Sequence, residues 1–261
     1  MTYPVSVFIM DVSNSSKGDI GSELSKYLHH VEKRIADWTK DITTTQVIHR
    51  SGDEIVVVSS GYATAYTLAF YISQIWAFKD HKPYFGLSFG ELQEDINALD
   101  IETWIHPFMK QARYANDTLK QQEQKRDQFN FELTDFLHVS SSEGYHLFRS
   151  QFETLLNMIL KLQQDQINEQ TTIQSLVCSL FLVLDQQNRI SHYLGRSAST
   201  ISSHLKKGHY ESITSAFHDV VKVLNSLQPE SEHAQQVINN QLQQNIKRSV
   251  SANLHEYFSI D

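Results

Sequence analysis

Cysteine is almost missing: Cys178 is the only one in 261 residues. A lone cysteine excludes a disulfide framework within the chain and a clustered-cysteine metal site, and it fits a reducing, cytoplasmic setting. Glycine and proline are scarce, at 9 and 4, which argues against a turn-rich sandwich and for helices with a few strands. Long apolar runs are missing as well. The longest, Leu180 to Leu184, is far too short to span a bilayer. No basic stretch followed by an apolar core opens the chain, so neither a signal peptide nor a membrane partner is expected. A basic excess is also lacking, the formal net charge being −8. The first 140 residues carry 19 acidic and 13 basic side chains, and the remainder 11 and 9, so the two parts stand at −6 and −2. The acidic balance therefore counts against non-specific nucleic-acid binding by bulk electrostatics, and any DNA contact must come from a local patch. No phosphate loop, Rossmann glycine pattern or nucleophile elbow is present.

What is there is foldable: 40% hydrophobic residues in a length that suits one large or two small domains. Val5 to Met10 is an apolar, β-branched run ending at Asp11 and reads as a strand. Leu24, Leu28, Val31, Ile35 and Trp38 recur at helical spacing. Two further strand-like runs, Thr43 to His49 and Ile55 to Ser59, flank Arg50-Ser51-Gly52-Asp53-Glu54, a hairpin turn by its Gly-Asp pair. A helix over Tyr62 to Phe78 and a strand over Tyr84 to Leu92 follow. The two glycines of that strand, Gly86 and Gly90, suggest close backbone approach or a bulge. The order strand, helix, strand, strand, helix, strand is that of a ferredoxin-like unit. A helix over Thr103 to Gln122 and a strand over Gln128 to Leu133 complete it.

Beyond the Ser140-Ser141-Ser142 run, which offers a domain boundary and a helix cap, only helical periodicity is found. Phe148, Phe152, Leu155, Ile159 and Leu162 line one stripe; helices over Gln170 to Leu184 and Tyr210 to Leu227 follow. After Pro229 a polar tail carries a sparse stripe, Val237, Leu242, Ile246, Val250 and Leu254, and reads as a lone or loosely docked helix. The expected architecture is α+β. Residues 1–139 form a ferredoxin-like, cyclase-related domain, 140–228 a helical domain and 229–261 a tail helix. The thirteen histidines read as surface residues, and the Gln pairs at 121, 163, 235 and 243 as solvated helix faces.

The most specific run is Gln187 to Lys207. A helix-turn-helix needs apolar contacts between its helices, a small residue at their crossing and often a glycine in the turn. Ile190, Leu194, Ile201 and Leu205 supply the contacts, Ser191 the small residue and Gly195 the turn, with Ser197 as cap. Ala198, Ser199, Thr200, Ser203 and His204 then face outward, short groups suited to phosphates and base edges. Arg189, Arg196, Lys206 and Lys207 add a local +4. Arg196 stands where such motifs usually carry an apolar residue. The competing reading is a helical hairpin for protein binding or oligomerisation. DNA is the expected partner, bound by a homodimer.

In chain order, Ile9-Met10-Asp11, a helix, the Gly52-Asp53-Glu54 hairpin and the Gly86 to Glu91 strand resemble the core of the class III nucleotide cyclases. That family is palm-like, as are the GGDEF synthases and related polymerases. The resemblance implies that Asp11 and Asp53 hold paired Mg²⁺. Glu91 is a further candidate ligand, and Arg113 would steady phosphate. Met109, however, stands where the cyclases place an asparagine, and methionine cannot donate the hydrogen bond that such chemistry uses. No catalytic residue is therefore assigned beyond Arg113.

The closer resemblance is to the SatD family of bacterial proteins, which look like a degenerate cyclase-type domain followed by a helix-turn-helix. It rests on Asp11-x-x-x-Ser15, Ser51-Gly52-Asp53, Phe85-Gly86-x-x-x-Gly90-Glu91 and Lys110-Gln111-Ala112-Arg113, and covers about residues 5 to 225. The reading that follows is a cytoplasmic DNA-binding regulator whose first domain senses a nucleotide or supplies the dimer contact. The alternatives are a metal-dependent nucleotidyl cyclase or nucleotidyltransferase, and a non-catalytic interaction module.

Overall fold

The computed structural model describes residues 2–15, 20–50, 52–122, 126–133, 143–228 and 232–258, without the side chains of 143–147 and 232. The Ser140 to Ser142 boundary, Ser51 and Pro229 lie outside the described residues. The chain is α+β. Its first part runs β1 (Tyr3–Val12), α1 (Gly21–Thr39), β2 (Thr45–Arg50), β3 (Glu54–Ser60), α2 (Thr64–Gln74), β4 (Pro83–Leu92), α3 (Pro107–Lys120) and β5 (Phe129–Phe131). Helices follow: α4 (Glu143–Asn168), α5 (Thr172–Leu184), α6 (Gln187–Leu194), α7 (Ala198–Lys207), α8 (Tyr210–Ser226), α9 (Glu232–Ala252) and α10 (Leu254–Tyr257).

The five strands lie in the order β2-β3-β1-β4-β5. β1 is antiparallel to both β3 and β4, β2 is antiparallel to β3, and β5 joins β4 in parallel. β1 sits in the middle and is buried from Pro4 onward, which is why it is apolar on both faces. The β1–β4 ladder pairs every residue from Tyr3 with Leu92 to Val12 with Pro83. The glycines of β4 therefore mark close approach and not a bulge: a Cβ on Gly86 would lie 2.1 Å from the Ala112 carbonyl oxygen, and one on Gly90 2.3 Å from the Phe108 ring.

Alternation along β1 sorts the core into two layers. Val5, Val7 and Ile9 point to one face, where α3 and the Ile96 to Trp104 segment cover them. Phe8, Met10 and Val12 point to the other, against α1 and α2. Two helices are shorter than their apolar patterns suggested. α2 ends at Gln74, and α3 starts at Pro107, where His106 accepts the Phe108 N–H at the helix entry.

α2 is buried over its first nine residues, Thr64 to Ile72, because the sheet lies on one side of it and α8 and α9 on the other. Phe217 of α8 stacks on Phe70 with ring centroids 4.2 Å apart and also meets Tyr66 and Tyr71. One apolar core thus runs from the sheet into the helices. α9 closes it. Leu242, Ile246 and Val250 are fully buried, and α9 packs on α1, α2, α5 and α8. The stripe of the polar tail has its partner within the chain.

Two expectations are corrected here. Gln163, Gln164, Gln235 and Gln243 are buried rather than solvated; Gln163, for example, donates to the Ile213 carbonyl and accepts from the Tyr66 hydroxyl. The stripe of α4, conversely, faces out. Leu156 and Leu160 are the buried apolar residues, while Phe148, Leu155, Ile159 and Leu162 are exposed.

Candidate functional site

Two surfaces merit description: a charged cluster at one end of the sheet, and the α6–α7 unit. The cluster follows from strand register. Met10 pairs with Ile55, so Asp11 stands one step beyond, beside Glu54 and the hairpin. Odd-numbered β1 residues and even-numbered β3 residues share the face covered by α3, so Asp11 and Glu54 meet α3 there. Gly52 turns the hairpin at φ +105°, a conformation that glycine adopts without steric cost. Glu54 accepts from Arg113 of α3 through both oxygens, the Nη2–Oε1 distance being 2.9 Å, and from Arg50 at 3.2 Å. Arg50 also donates to the Ile101 and Glu102 carbonyls. Burial pushes Glu54 up, but the hydrogen bonds and charge of Arg113 and the charge of Arg50 outweigh it and hold the carboxyl below the usual range.

Asp11 behaves oppositely. Burial first, then the negative charges of Asp53 and Glu54, push its carboxyl up to about 6, against smaller opposing effects of Lys120 and Arg113. This buried acid, repelled by two neighbours, suits a divalent cation, which Asp11 and Asp53 would hold. Arg113 is committed to Glu54, so a phosphate would have to compete for it. Met109 is buried against the sheet. Glu91 is not part of this cluster: it pairs with Pro4, seven residues, or roughly 23 Å, along β1 from Asp11.

A stability prediction follows. An acid whose pKa is raised in the folded state binds more protons folded than unfolded between the two values, so rising pH destabilises it there. The penalty is absent below about pH 4, grows up to about pH 6 and is constant above. In chelator, Asp11→Asn is expected to stabilise the protein by about 3 kcal/mol at pH 8 and by nothing at pH 3.5. Urea unfolding of both proteins across that range checks it; a pH-independent difference would refute the assignment.

A second ligand-bearing group was not legible in the sequence. His29 and Glu32 of α1 and His49 of β2 are the trio of His, Cys, Asp or Glu ligand atoms lying within 4.8 Å of one another among the described residues. Geometry gives Glu32 another task, since one oxygen accepts the His49 backbone N–H of an edge strand and the other contacts His29, each at 3.0 Å. Asp11, Asp53 and Glu54 form no such tight trio.

The α6–α7 unit is built as its spacing suggests. α6 ends at Gly195 in the left-handed conformation, φ +60°. Ser197 caps α7, accepting the Thr200 N–H at 3.2 Å. Ile190, Ile201 and Leu205 are buried against α5 and α8, and Leu194 packs at their edge. The Ser191 hydroxyl is buried at the crossing. Ser199, Ser203, Lys206 and Lys207 are exposed along α7; Arg196 is exposed in the turn before it, and Arg189 is exposed on α6, beside a hollow shared with Leu184, His192 and Leu254. Among the described residues none of the four cations forms a salt bridge. Arg196 departs from the usual apolar residue without disturbing the turn, because it lies in solvent while its N–H donates to Ser191.

Three details differ from expectation. His204 is half-buried, with Nδ1 turned inward. The Ser197, Ser199 and Thr200 hydroxyls bond one another, Ser197 lying 2.9 and 2.8 Å from the other two. Ser202, three residues after Ser199, shares the exposed face. Among the described residues no helix is long and apolar enough to cross a membrane. Set against protein-family models, curated proteins and solved structures, the chain matches none of them.

Proposed function

We propose that the protein is a bacterial DNA-binding protein of the transcription-regulator kind, with α7 as its reading helix. The observation that carries this is the exposed α7 face. It is a row of short hydroxyl side chains ending in Lys206 and Lys207, with Arg196 exposed in the turn before it, on a helix held by a glycine turn and a serine cap. Lysines and arginines free of ion pairs are available for phosphates, and serines are short enough to let the helix approach base edges. The β-α-β-β-α-β order of the first part goes with this reading: we read that part as a ferredoxin-like, cyclase-related domain, as in the SatD proteins it resembles, that senses a nucleotide.

The test is fluorescence anisotropy with duplex DNA over a salt series, wild type against Lys206→Ala/Lys207→Ala. Binding that weakens with salt, and a log–log slope reduced by about 2 in the double variant, is the expected result. No binding at low salt by folded protein would sink the reading.

A second reading is favoured by the repulsion around Asp11: a metal-dependent nucleotidyl cyclase or nucleotidyltransferase, with Asp11 and Asp53 holding Mg²⁺. Bound Mg²⁺ would supply charge neutralisation for phosphoryl oxygens. Arg113, once released from Glu54, would meet a phosphate. Turnover of nucleoside triphosphate by the wild type and not by Asp53→Ala would establish it in place of pure regulation.

A further inference from the structure

α4 is apolar on two sides. Its inner side, with Leu156 and Leu160, packs on the chain. Its outer side carries Phe148, Leu155, Met158 and Leu162, exposed by 59, 58, 53 and 61%. Among the described residues nothing covers this side. Soluble monomers rarely leave so many large apolar side chains contiguous and open. The outer residues also have a register. Phe148, Phe152, Leu155, Ile159 and Leu162 are spaced four, three, four, three, a seven-residue repeat, which is the seam of a coiled coil. Phe152 and Ile159 fall at a positions and Phe148, Leu155 and Leu162 at d; within parallel coiled coils, Ile at a with Leu at d favours two strands.

Beside the seam, α8 adds the exposed Val223. Between α4 and α8 runs a groove of about 710 Å³ floored by Phe152, Leu155, Ile159 and Val220. Ridge and groove are thus on one face of one chain, the self-complementary arrangement that a two-fold interface requires. Its size suits one. The helix of 26 residues is roughly 39 Å long. A strip two helices wide then covers about 800 Å² per copy, as a stable dimer needs.

We propose that this face binds a second copy of the chain, α4 against α4 in parallel, and so makes the protein a two-fold dimer through its helices and not through the sheet. The proposal does not depend on DNA binding.

Sedimentation equilibrium tests it. The wild type is expected to be dimeric at micromolar concentration. Leu155→Asp changes an exposed side chain, so the fold should survive, as circular dichroism would verify, while the dimer constant weakens at least 100-fold. Leu155→Cys should give a covalent dimer under mild oxidation, since d positions face each other in a parallel pair, whereas the wild type with buried Cys178 should not. Tyr114→Asp, on exposed α3 surface, should change nothing. A monomeric wild type, or a dimer that Leu155→Asp leaves intact, would overturn the proposal; so would a Leu155→Cys dimer that stays non-covalent, by excluding the parallel pairing.

Discussion

A chain cut after Gln228 should lose its cooperative fold. α9 is polar in composition, yet Leu242, Ile246 and Val250 are fully buried. Each such side chain contributes about 2 kcal/mol by burial alone. Removing them also uncovers apolar surface on α1, α2, α5 and α8. The polar groups add to this. Thr67 and Asn239 are hydrogen-bonded at 3.0 Å, and Asn239 donates to Asn225 at 3.1 Å. Without α9, Thr67 and Asn225 lose those partners but keep the Ala63 carbonyl and the Gln228 amide, so the larger loss is the apolar burial. The total approaches the whole stability of an ordinary domain, about 5–15 kcal/mol. Calorimetry of the truncated chain is the check. The expected result is insoluble protein or a melt with no cooperative transition; a sharp transition near that of the full chain would show that α9 is dispensable.

Gly86→Ala should be the most costly single substitution of a small residue. Its methyl would lie 2.1 Å from the Ala112 oxygen and 2.3 Å from the Asn116 nitrogen, both backbone atoms of α3. Neither can rotate aside, so the helix must lift off the sheet. The expected loss is about 3 kcal/mol or more, the upper end of overpacking costs. α3 carries Arg113, so the same shift should part it from Glu54 and disturb the Asp11 end of the sheet. Gly90→Ala meets the Phe108 ring at 2.3 Å, a side chain that can yield, and should cost less. Gly21→Ala meets nothing within 4 Å at the start of α1 and should be neutral or slightly stabilising. Urea midpoints of the three variants should fall in that order; equal midpoints for Gly86→Ala and Gly21→Ala would refute the close packing.

The strands and α1 were legible because each obeys one period and buries one set of residues. Leu24, Leu28, Val31, Ile35 and Trp38 are all buried as their spacing implies. The α6–α7 turn was legible for a local reason: Gly195 adopts the left-handed conformation and Ser197 caps the next helix, both properties of the residue itself. α4 and α9 were harder. Periodicity shows that a helix has an apolar side, but not that this side points inward. α4 turns Gln163 and Gln164 in beside Leu156 and Leu160 and leaves Leu155 and Leu162 out, because Gln163 finds Tyr66 and Ile213 inside. α9 seemed loosely docked because much of its inner side is amide, Gln235, Asn239 and Gln243, which in sequence resembles a solvated face. The Asp11 cluster was half legible. Asp11 and the hairpin acids could be paired from strand order, whereas the Arg113 bond to Glu54 spans 59 positions and leaves no spacing signal. Glu91 was misplaced because an antiparallel β4 runs its C-terminal end away from Asp11. The His29, Glu32 and His49 trio joins a helix to an edge strand and had no motif to announce it.

The uninterrupted core between the sheet and the helices bears on how such a protein could be recombined. Many small helical units are portable cassettes, cut at a linker and grafted onto another domain. Here the aromatic stack of Phe217 on Phe70 and the amide ladder around Asn239 are shared property of both halves. Lifting out α5 to α8 would leave α2 bare, and taking α2 would dismantle the sheet. Descendants of this architecture would therefore diversify by changing surfaces, the α7 face or the Asp11 end, while the two halves are inherited as one piece.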